Sequence, residues 1–255
     1  MSILPDRDPW WATWFGEEYL ALYPERDDLE ARNQAHFVRH LLEPFAKRGS
    51  AGVLDLACGT GRHAVSLARP NVFRVTGLDL SLTLLAQARL RPDPPELSYV
   101  RADMRRLPFR SGIFGGVVNF FTSFGYFDDP ADDLRSMCEV ARILAPGGAF
   151  LADFFNAERV VATLASQEDK LVAGLRVSIR RRYDPNTRRV EKTIEMGSGA
   201  ERRVFRERVR AYREKELLGL LKDAGFSTGP VYGDFDGQPF DVKRSPRLIL
   251  LAARA

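Results

Sequence analysis

Apolar residues recur along this chain at two different spacings. Short apolar runs near 52–57, 72–79, 97–101, 115–121 and 148–155 read as strands, and between them helical spacing takes over near 61–69, 81–90 and 130–144. Strands alternating with helices predict a parallel sheet covered on both faces. Ser81 suits the N-cap of the second of these helices, and Pro146-Gly147-Gly148 ends the third. A further helix is expected near 29–47, ahead of the first strand. Beyond residue 155 the pattern changes. After a helix near 157–166, Leu171 to Ile179 and Val190 to Met196 read as strands joined by the turn Asp184-Pro185-Asn186-Thr187, with a third near Arg203 to Tyr212. A helix from Glu214 to Ala224 then leads to strands near 227–234 and Arg247 to Ala253.

Composition narrows the class. The 255 residues are 45% hydrophobic, ordinary for a globular protein and enough for one sizeable α/β core. No apolar run approaches the roughly 18 residues of a membrane span, and Met1 to Asp8 carries charges where a signal peptide is apolar, so a cytoplasmic protein with no membrane partner is expected. Cys58 and Cys138 form neither a metal nor a disulfide pattern. His36 and His40 stand four apart but lack a third ligand, so no metal is expected.

The most informative run is Val53-Leu54-Asp55-Leu56-Ala57-Cys58-Gly59-Thr60-Gly61-Arg62-His63, a buried strand breaking into a glycine turn that opens a helix. Gly59 and Gly61 let the backbone approach a ligand without a Cβ in the way, and the helix start offers unpaired N–H groups. Asp79, at the end of the next strand, has the spacing at which a carboxylate reaches ribose hydroxyls. Gly59-x-Gly61-x-x-Ala64 also fits a dinucleotide fingerprint, which leaves a dehydrogenase open. Asp55 argues against a pyrophosphate there, because its charge repels phosphates and attracts the ammonium and sulfonium of S-adenosylmethionine.

Five motifs in order resemble those of the class I S-adenosylmethionine-dependent methyltransferases. They are Asp55-Leu56-Ala57-Cys58-Gly59-Thr60-Gly61, Gly77-Leu78-Asp79-Leu80-Ser81, Arg101-Ala102-Asp103-Met104, the strand and loop Gly116 to Tyr126, and the strand-opening turn Leu144 to Leu151. Ala57 stands where many members carry glycine. The resemblance spans roughly residues 53 to 155 and implies a Rossmann-like, doubly wound, mostly parallel seven-stranded sheet closed by an antiparallel C-terminal hairpin, with strands 171–212 as a small antiparallel β insertion. A single domain over 1–255 is expected: an N-terminal helical cap (1–47), a cofactor-binding core (52–155), the insertion as a lid (171–212), and the C-terminal helix and hairpin (213–255). By the same resemblance S-adenosylmethionine is the cofactor. Asp103 binds its adenine amino group and the Met104 backbone the ring, Asp79 with Leu80 the ribose, and the Ala57–Gly61 turn with the Phe120 carbonyl the methionyl end. Tyr19, in Glu17-Glu18-Tyr19-Leu20, resembles a family tyrosine that reaches cofactor or substrate.

The acceptor is less legible. Ser123 to Tyr126, Asn156 and Asp234-Phe235-Asp236 follow strand ends or turn over the crevice, so Tyr19, Tyr126, Asn156, Asp234 and Asp236 are candidates for positioning it. Aromatic walls with a few carboxylates suit a small amine or polar metabolite. His63, at the helix start, reads as a packing residue before a general base. Between 171 and 210 there are twelve Arg or Lys against five Asp or Glu, which keeps an RNA acceptor as the alternative. The reading favours a small-molecule N- or O-methyltransferase, because alternating arginines on strands usually form a solvated face and no base-stacking pattern accompanies them. A protein that binds the cofactor without turnover is the non-enzyme alternative, and nothing in the sequence separates a monomer from a homodimer. Trp10, Trp11, Trp14, Phe15, Tyr19 and Tyr23 form an aromatic segment suited to cover the crevice, with Trp10, Trp14 and Phe15 near one helical face.

Overall fold

The computed structural model describes residues 9–24, 28–46, 52–68, 74–92, 94–172 and 174–255. The first residues of the expected cap, and the start of the strand expected over 72–79, lie outside the described residues. In chain order the elements are α1 (Trp10–Thr13), α2 (Glu17–Leu22), α3 (Asp28–Ala46), β1 (Val53–Leu56), α4 (Arg62–Leu67), β2 (Val75–Asp79), α5 (Leu82–Arg89), β3 (Leu97–Arg101), β4 (Phe114–Asn119), α6 (Pro130–Ile143), β5 (Leu144–Phe155), α7 (Ala157–Thr163), β6 (Gln167–Val172), β7 (Leu175–Asp184), β8 (Arg189–Met196), β9 (Arg203–Arg210), α8 (Glu214–Asp223), β10 (Phe226–Tyr232) and β11 (Arg247–Arg254).

Two sheets result. The first has the strand order β10-β11-β5-β4-β1-β2-β3, with β1 through β5 parallel and β11 paired antiparallel with both β5 and β10. β1, β2 and β4 are buried at every position, the pattern of strands covered on both faces. Two apolar clusters account for that cover. One packs Phe114, Phe150, Ile143 and Leu217 on the side of α6 and α8, and the other packs Val38, Leu42, Val53 and Leu67 on the side of α3 and α4. Chain direction across the sheet reverses at β1, between β4 and β2, and in such sheets the crevice for a ligand opens there beyond the carboxyl ends of the strands.

The second sheet has the order β6-β7-β8-β9, antiparallel throughout. Here the sequence reading needs correction, because the single strand expected over Leu171 to Ile179 is two strands that reverse at Gly174, whose φ is +80°. The apolar run continues straight across the reversal, so periodicity alone gives no break. Val177, Ile179, Ile194 and Met196 form the inner face of this sheet and bury Trp14 and Leu22 of the N-terminal segment. That segment is two short helices broken at Trp14-Phe15-Gly16, so its rings point to different places: Trp14 is buried against the second sheet, and Phe15 turns to the crevice.

The second sheet is fastened to the first by buried polar groups. The Arg189 guanidinium, 5% exposed, donates to the carbonyls of Gly125 (3.3 Å), Phe127 and Arg208 (3.3 Å), while the Tyr212 hydroxyl donates to Asp133 at 2.6 Å. Burial pushes the Asp133 carboxyl up to about 6 against the opposing pull of Tyr212 and the two nearby arginines.

Candidate active site

The turn after β1 is built from residues with left-handed backbone. Ala57, Gly59 and Gly61 all have positive φ (59°, 57° and 74°), which explains why glycine suits position 57 and shows that alanine there carries strain. A Cβ at Gly61 would collide with the Tyr99 hydroxyl, whereas one at Gly59 would meet only Leu84, at 3.9 Å, and would project toward open space. Gly61 therefore serves packing, and Gly59 leaves room for a ligand. Asp79 holds this turn in place, its Oδ2 accepting the Gly59 N–H at 2.8 Å and its Oδ1 the Ser81 N–H at 2.8 Å. Burial raises the Asp79 carboxyl despite these donors. Each oxygen keeps a further lone pair for a ligand hydroxyl.

Asp55 lies under the turn, 1% exposed, facing the Ala64 N–H, and its Oδ2 has no hydrogen-bond partner among the described residues. Burial, and then the neighbouring Asp79, push its carboxyl up to about 8. A buried oxygen left without a donor beside a cavity calls for a cationic or hydrogen-bonding ligand group. Because the fold raises this pKa from 3.8, ionised Asp55 costs stability progressively as pH rises toward 8, and a bound cation recovers that cost. Affinity for S-adenosylmethionine should therefore rise from pH 6 to 8 by up to about tenfold per unit and level off above, with proton release on binding. Calorimetry in buffers of different ionisation enthalpy checks this; a flat profile that persists in Asp55→Asn would remove Asp55 from the site.

Along the sheet, Asp103 accepts from Arg105 in a two-pronged contact (Nε 3.1 Å, Nη2 2.6 Å) and from the Arg105 amide at 2.9 Å. Burial alone would raise the Asp103 carboxyl, but these bonds and the guanidinium charge hold it below its usual range. The guanidinium also reaches Asp132 at 2.8 Å and packs on the Trp11 and Phe127 rings, 4.9 Å from each centroid. Arg105 thus ties the N-terminal segment to the Asp103 end of the site. Sequence reading missed it; its place two residues after Asp103 was the available signal. After β4, Phe121 and Thr122 adopt positive φ (57° and 60°), strain of the kind that clusters at ligand sites. The buried Asp153 holds this bend, accepting from the Phe121 N–H (2.8 Å) and from Arg247 (2.6 Å).

These pieces line one cavity of about 780 Å³. Asp55, Ala57, Gly59 and Asp79 lie on its floor with Leu80, Asp103, Met104 and Phe120. Trp10, Phe15, Tyr19 and Tyr126 face them as an aromatic wall, Tyr126 lying 4.8 Å from Trp10 and 5.9 Å from Phe15. The Ser81 hydroxyl fastens that wall by donating to the Phe15 carbonyl at 2.5 Å while capping α5. His63 is buried, 4.0 Å from Phe120 in a stack, with Nε2 2.7 Å from Gln34 Oε1. Its contacts make it a packing element of the floor.

Three candidate acceptor residues are corrected. Asn156 is fully buried outside the cavity, its amide donating to the Val242 and Ser245 carbonyls (both 2.9 Å) and its oxygen capping α7. Asp234 accepts from the Asp236 and Gln238 amides (both 3.0 Å), closing its own turn, and neither Asp234 nor Asp236 lines the cavity. Phe235 alone of that loop packs toward Phe37 and Phe120. The carboxylates expected to position the acceptor from this loop do not line the cavity. The far end of the cavity is lined by Tyr23, from the aromatic segment expected over the crevice, and by Arg181, Lys192 and Glu207, which sequence reading missed because they come from three separate strands. Among the described residues, no group of His, Cys, Asp and Glu is placed to hold a metal ion.

Residues 53–148 match the family described as a methyltransferase domain. The chain carries a methyltransferase domain. Solved methyltransferases share the fold across nearly the whole chain. The CcbJ methyltransferase from Streptomyces caelestis superposes with a TM-score of 0.77 at 23% identity over 96% of this chain and 99% of that one. S-adenosylmethionine-bound CalS10, an amino pentose methyltransferase from Micromonospora echinaspora, gives 0.64 at 25% identity over 94% and 97%. The demethylmenaquinone methyltransferase of Beutenbergia cavernae is 34% identical over 119 residues, 46% of this chain and 46% of that one. The chain spans about half the length of the curated relatives it matches. The matched residues supply the floor of the cavity and Tyr126 of its wall, and the N-terminal segment and second sheet, outside them, supply the other wall residues and the far end.

Proposed function

We propose that this chain is an S-adenosylmethionine-dependent methyltransferase that methylates an N or O atom of a small molecule. The observation that carries the reading is one continuous cavity, with the glycine turn and the orphaned Asp55 oxygen at one end and a chamber roofed by the second sheet at the other. The cofactor supplies a methyl group already activated on a sulfonium. Asp79 and Asp103 orient its ribose and adenine, Asp55 faces its ammonium, and the strained Phe120–Thr122 bend offers carbonyls to the methionyl end. The aromatic wall excludes water and holds the acceptor in line with the methyl group, so proximity is the main contribution.

The geometry also bears on RNA. Along β7 side chains alternate, so Arg180 and Arg182 project from the outer face while Arg181 turns into the cavity. Arg182 is paired with Glu191 at 2.5 Å, and the outer face lies on the opposite side of the sheet from the cofactor floor. Arg180→Gln/Arg182→Gln should leave binding to a structured RNA negligible before and after, as a filter titration across salt would show. Release of S-adenosylhomocysteine with small amines or alcohols supports the proposal. Release with RNA alone, with a steep salt dependence lost in the double variant, overturns the small-molecule reading.

A further inference from the structure

The inner face of the second sheet changes character where it reaches the cavity. Under Trp14 it is apolar, but beyond Ile179 and Ile194 the next inward positions on β7, β8 and β9 are Arg181, Lys192 and Glu207. The register places Arg181 directly opposite Lys192, and Lys192 directly opposite Glu207. Two cations directly across an antiparallel pair repel, and partial burial sharpens the cost. Their side chains are 21% and 13% exposed. A solvated strand face has no need of this arrangement, and the neighbouring outward positions, Arg182 opposite Glu191, show the compensated alternative.

Each of the two cations has a carboxylate beside it, but a third cation joins them, the Lys170 ammonium standing 3.5 Å from Glu168. Glu168, 2.5 Å from Arg181, does not line the cavity and is 40% exposed. Glu207 accepts from the Trp14 indole at 2.7 Å and stands 3.4 Å from the Lys192 ammonium, which also donates to the Tyr23 hydroxyl. Among the described residues three cations, Arg181, Lys192 and Lys170, therefore meet two carboxylates, Glu168 and Glu207, of which Glu207 lines the cavity. A planar guanidinium beside a point-charge ammonium matches an oxyanion, the guanidinium fixing its orientation.

Resting on the methyl-transfer reading above, we propose that the acceptor carries an oxyanion group, a phosphate or a carboxylate, which Arg181 and Lys192 seat at the lid end so that its nucleophilic end points to the glycine turn. The methyl acceptor is then an anionic small molecule, and Arg181 and Lys192 determine its specificity.

The test is calorimetric titration of the full chain, with and without saturating S-adenosylhomocysteine, with inorganic phosphate and separately with acetate at constant ionic strength. At least one anion should bind at millimolar levels, phosphate marking a phosphate ester and acetate a carboxylate. Arg181→Gln and Lys192→Gln should each weaken that binding tenfold or more while S-adenosylhomocysteine affinity shows the fold intact. Arg180→Gln, the same charge change one residue away on the outer face, should bind the anion as the parent does. Absence of binding by both anions, or an equal loss in Arg180→Gln, overturns the proposal. Failure of S-adenosylhomocysteine itself to bind the parent protein strikes the methyl-transfer reading instead, so the two failures are separable.

Discussion

Asp79→Ala should weaken S-adenosylhomocysteine binding by a hundredfold or more. Asp79 does two jobs at once: its oxygens accept the Gly59 and Ser81 N–H groups, and their remaining lone pairs face the position proposed for the ribose. Charge-assisted hydrogen bonds contribute about 1.5–3 kcal/mol each, and losing the grip on the turn adds disorder to the floor itself. The same substitution leaves two amides without an acceptor at about 1–3 kcal/mol each, so melting temperature should fall as well. Asp79→Asn separates the two jobs. Its amide oxygen still accepts one turn N–H, so it should regain much of the stability while cofactor affinity stays reduced. Calorimetry together with thermal unfolding reads both. Full affinity in a folded Asp79→Ala would place the ribose elsewhere.

The second large effect lies away from the cofactor. Arg189→Ala should destabilise the protein by about 3 kcal/mol, because a buried guanidinium that donates to three backbone carbonyls is lost, and although Gly125 keeps the Arg210 N–H at 2.8 Å, the Phe127 carbonyl loses its guanidinium donor. Two of the three carbonyls, Gly125 and Phe127, belong to the loop after β4, and the third, Arg208, to β9. Removing the clamp therefore loosens the sheet that roofs the far end of the cavity. Nearby Asp133 also loses a stabilising cation, so its carboxyl should rise further above about 6. Denaturant unfolding measures the stability loss, and hydrogen exchange should show the added opening concentrated in β7 to β9. A uniform increase across both sheets would mean that Arg189 supports the whole fold and has no special role in the lid.

What the sequence disclosed was local. Asp55, Gly59, Gly61 and Asp79 sit on a strand, a turn and the next strand, so spacing along the chain fixes their spacing in space. The parallel core was legible for the same reason, its strands being short uninterrupted apolar runs between amphipathic helices. Asn156, Asp234 and Asp236 misled because a polar residue after a strand suits a cap or a turn as well as a site. Only the tertiary contacts of Asn156 with Val242 and Ser245, and the closure of the Asp234 turn upon itself, decide between those uses. The Arg180-Arg181-Arg182 run looked like one charged patch, yet strand alternation sends its middle member to the cavity and the other two outward. The pairing of Arg181 with Lys192 and Glu207 depends on the register of three strands, and the hairpin at Gly174 that begins this sheet left no break in the apolar pattern.

Calorimetric titration of the parent protein with S-adenosylhomocysteine and, separately, with NAD tests the central claim most directly. The floor built on Asp55, Gly59, Asp79 and Asp103 predicts micromolar binding of S-adenosylhomocysteine and none of NAD, because the orphaned Asp55 oxygen is satisfied by an ammonium donor and a pyrophosphate brings none. Tighter binding of NAD than of S-adenosylhomocysteine would contradict the account.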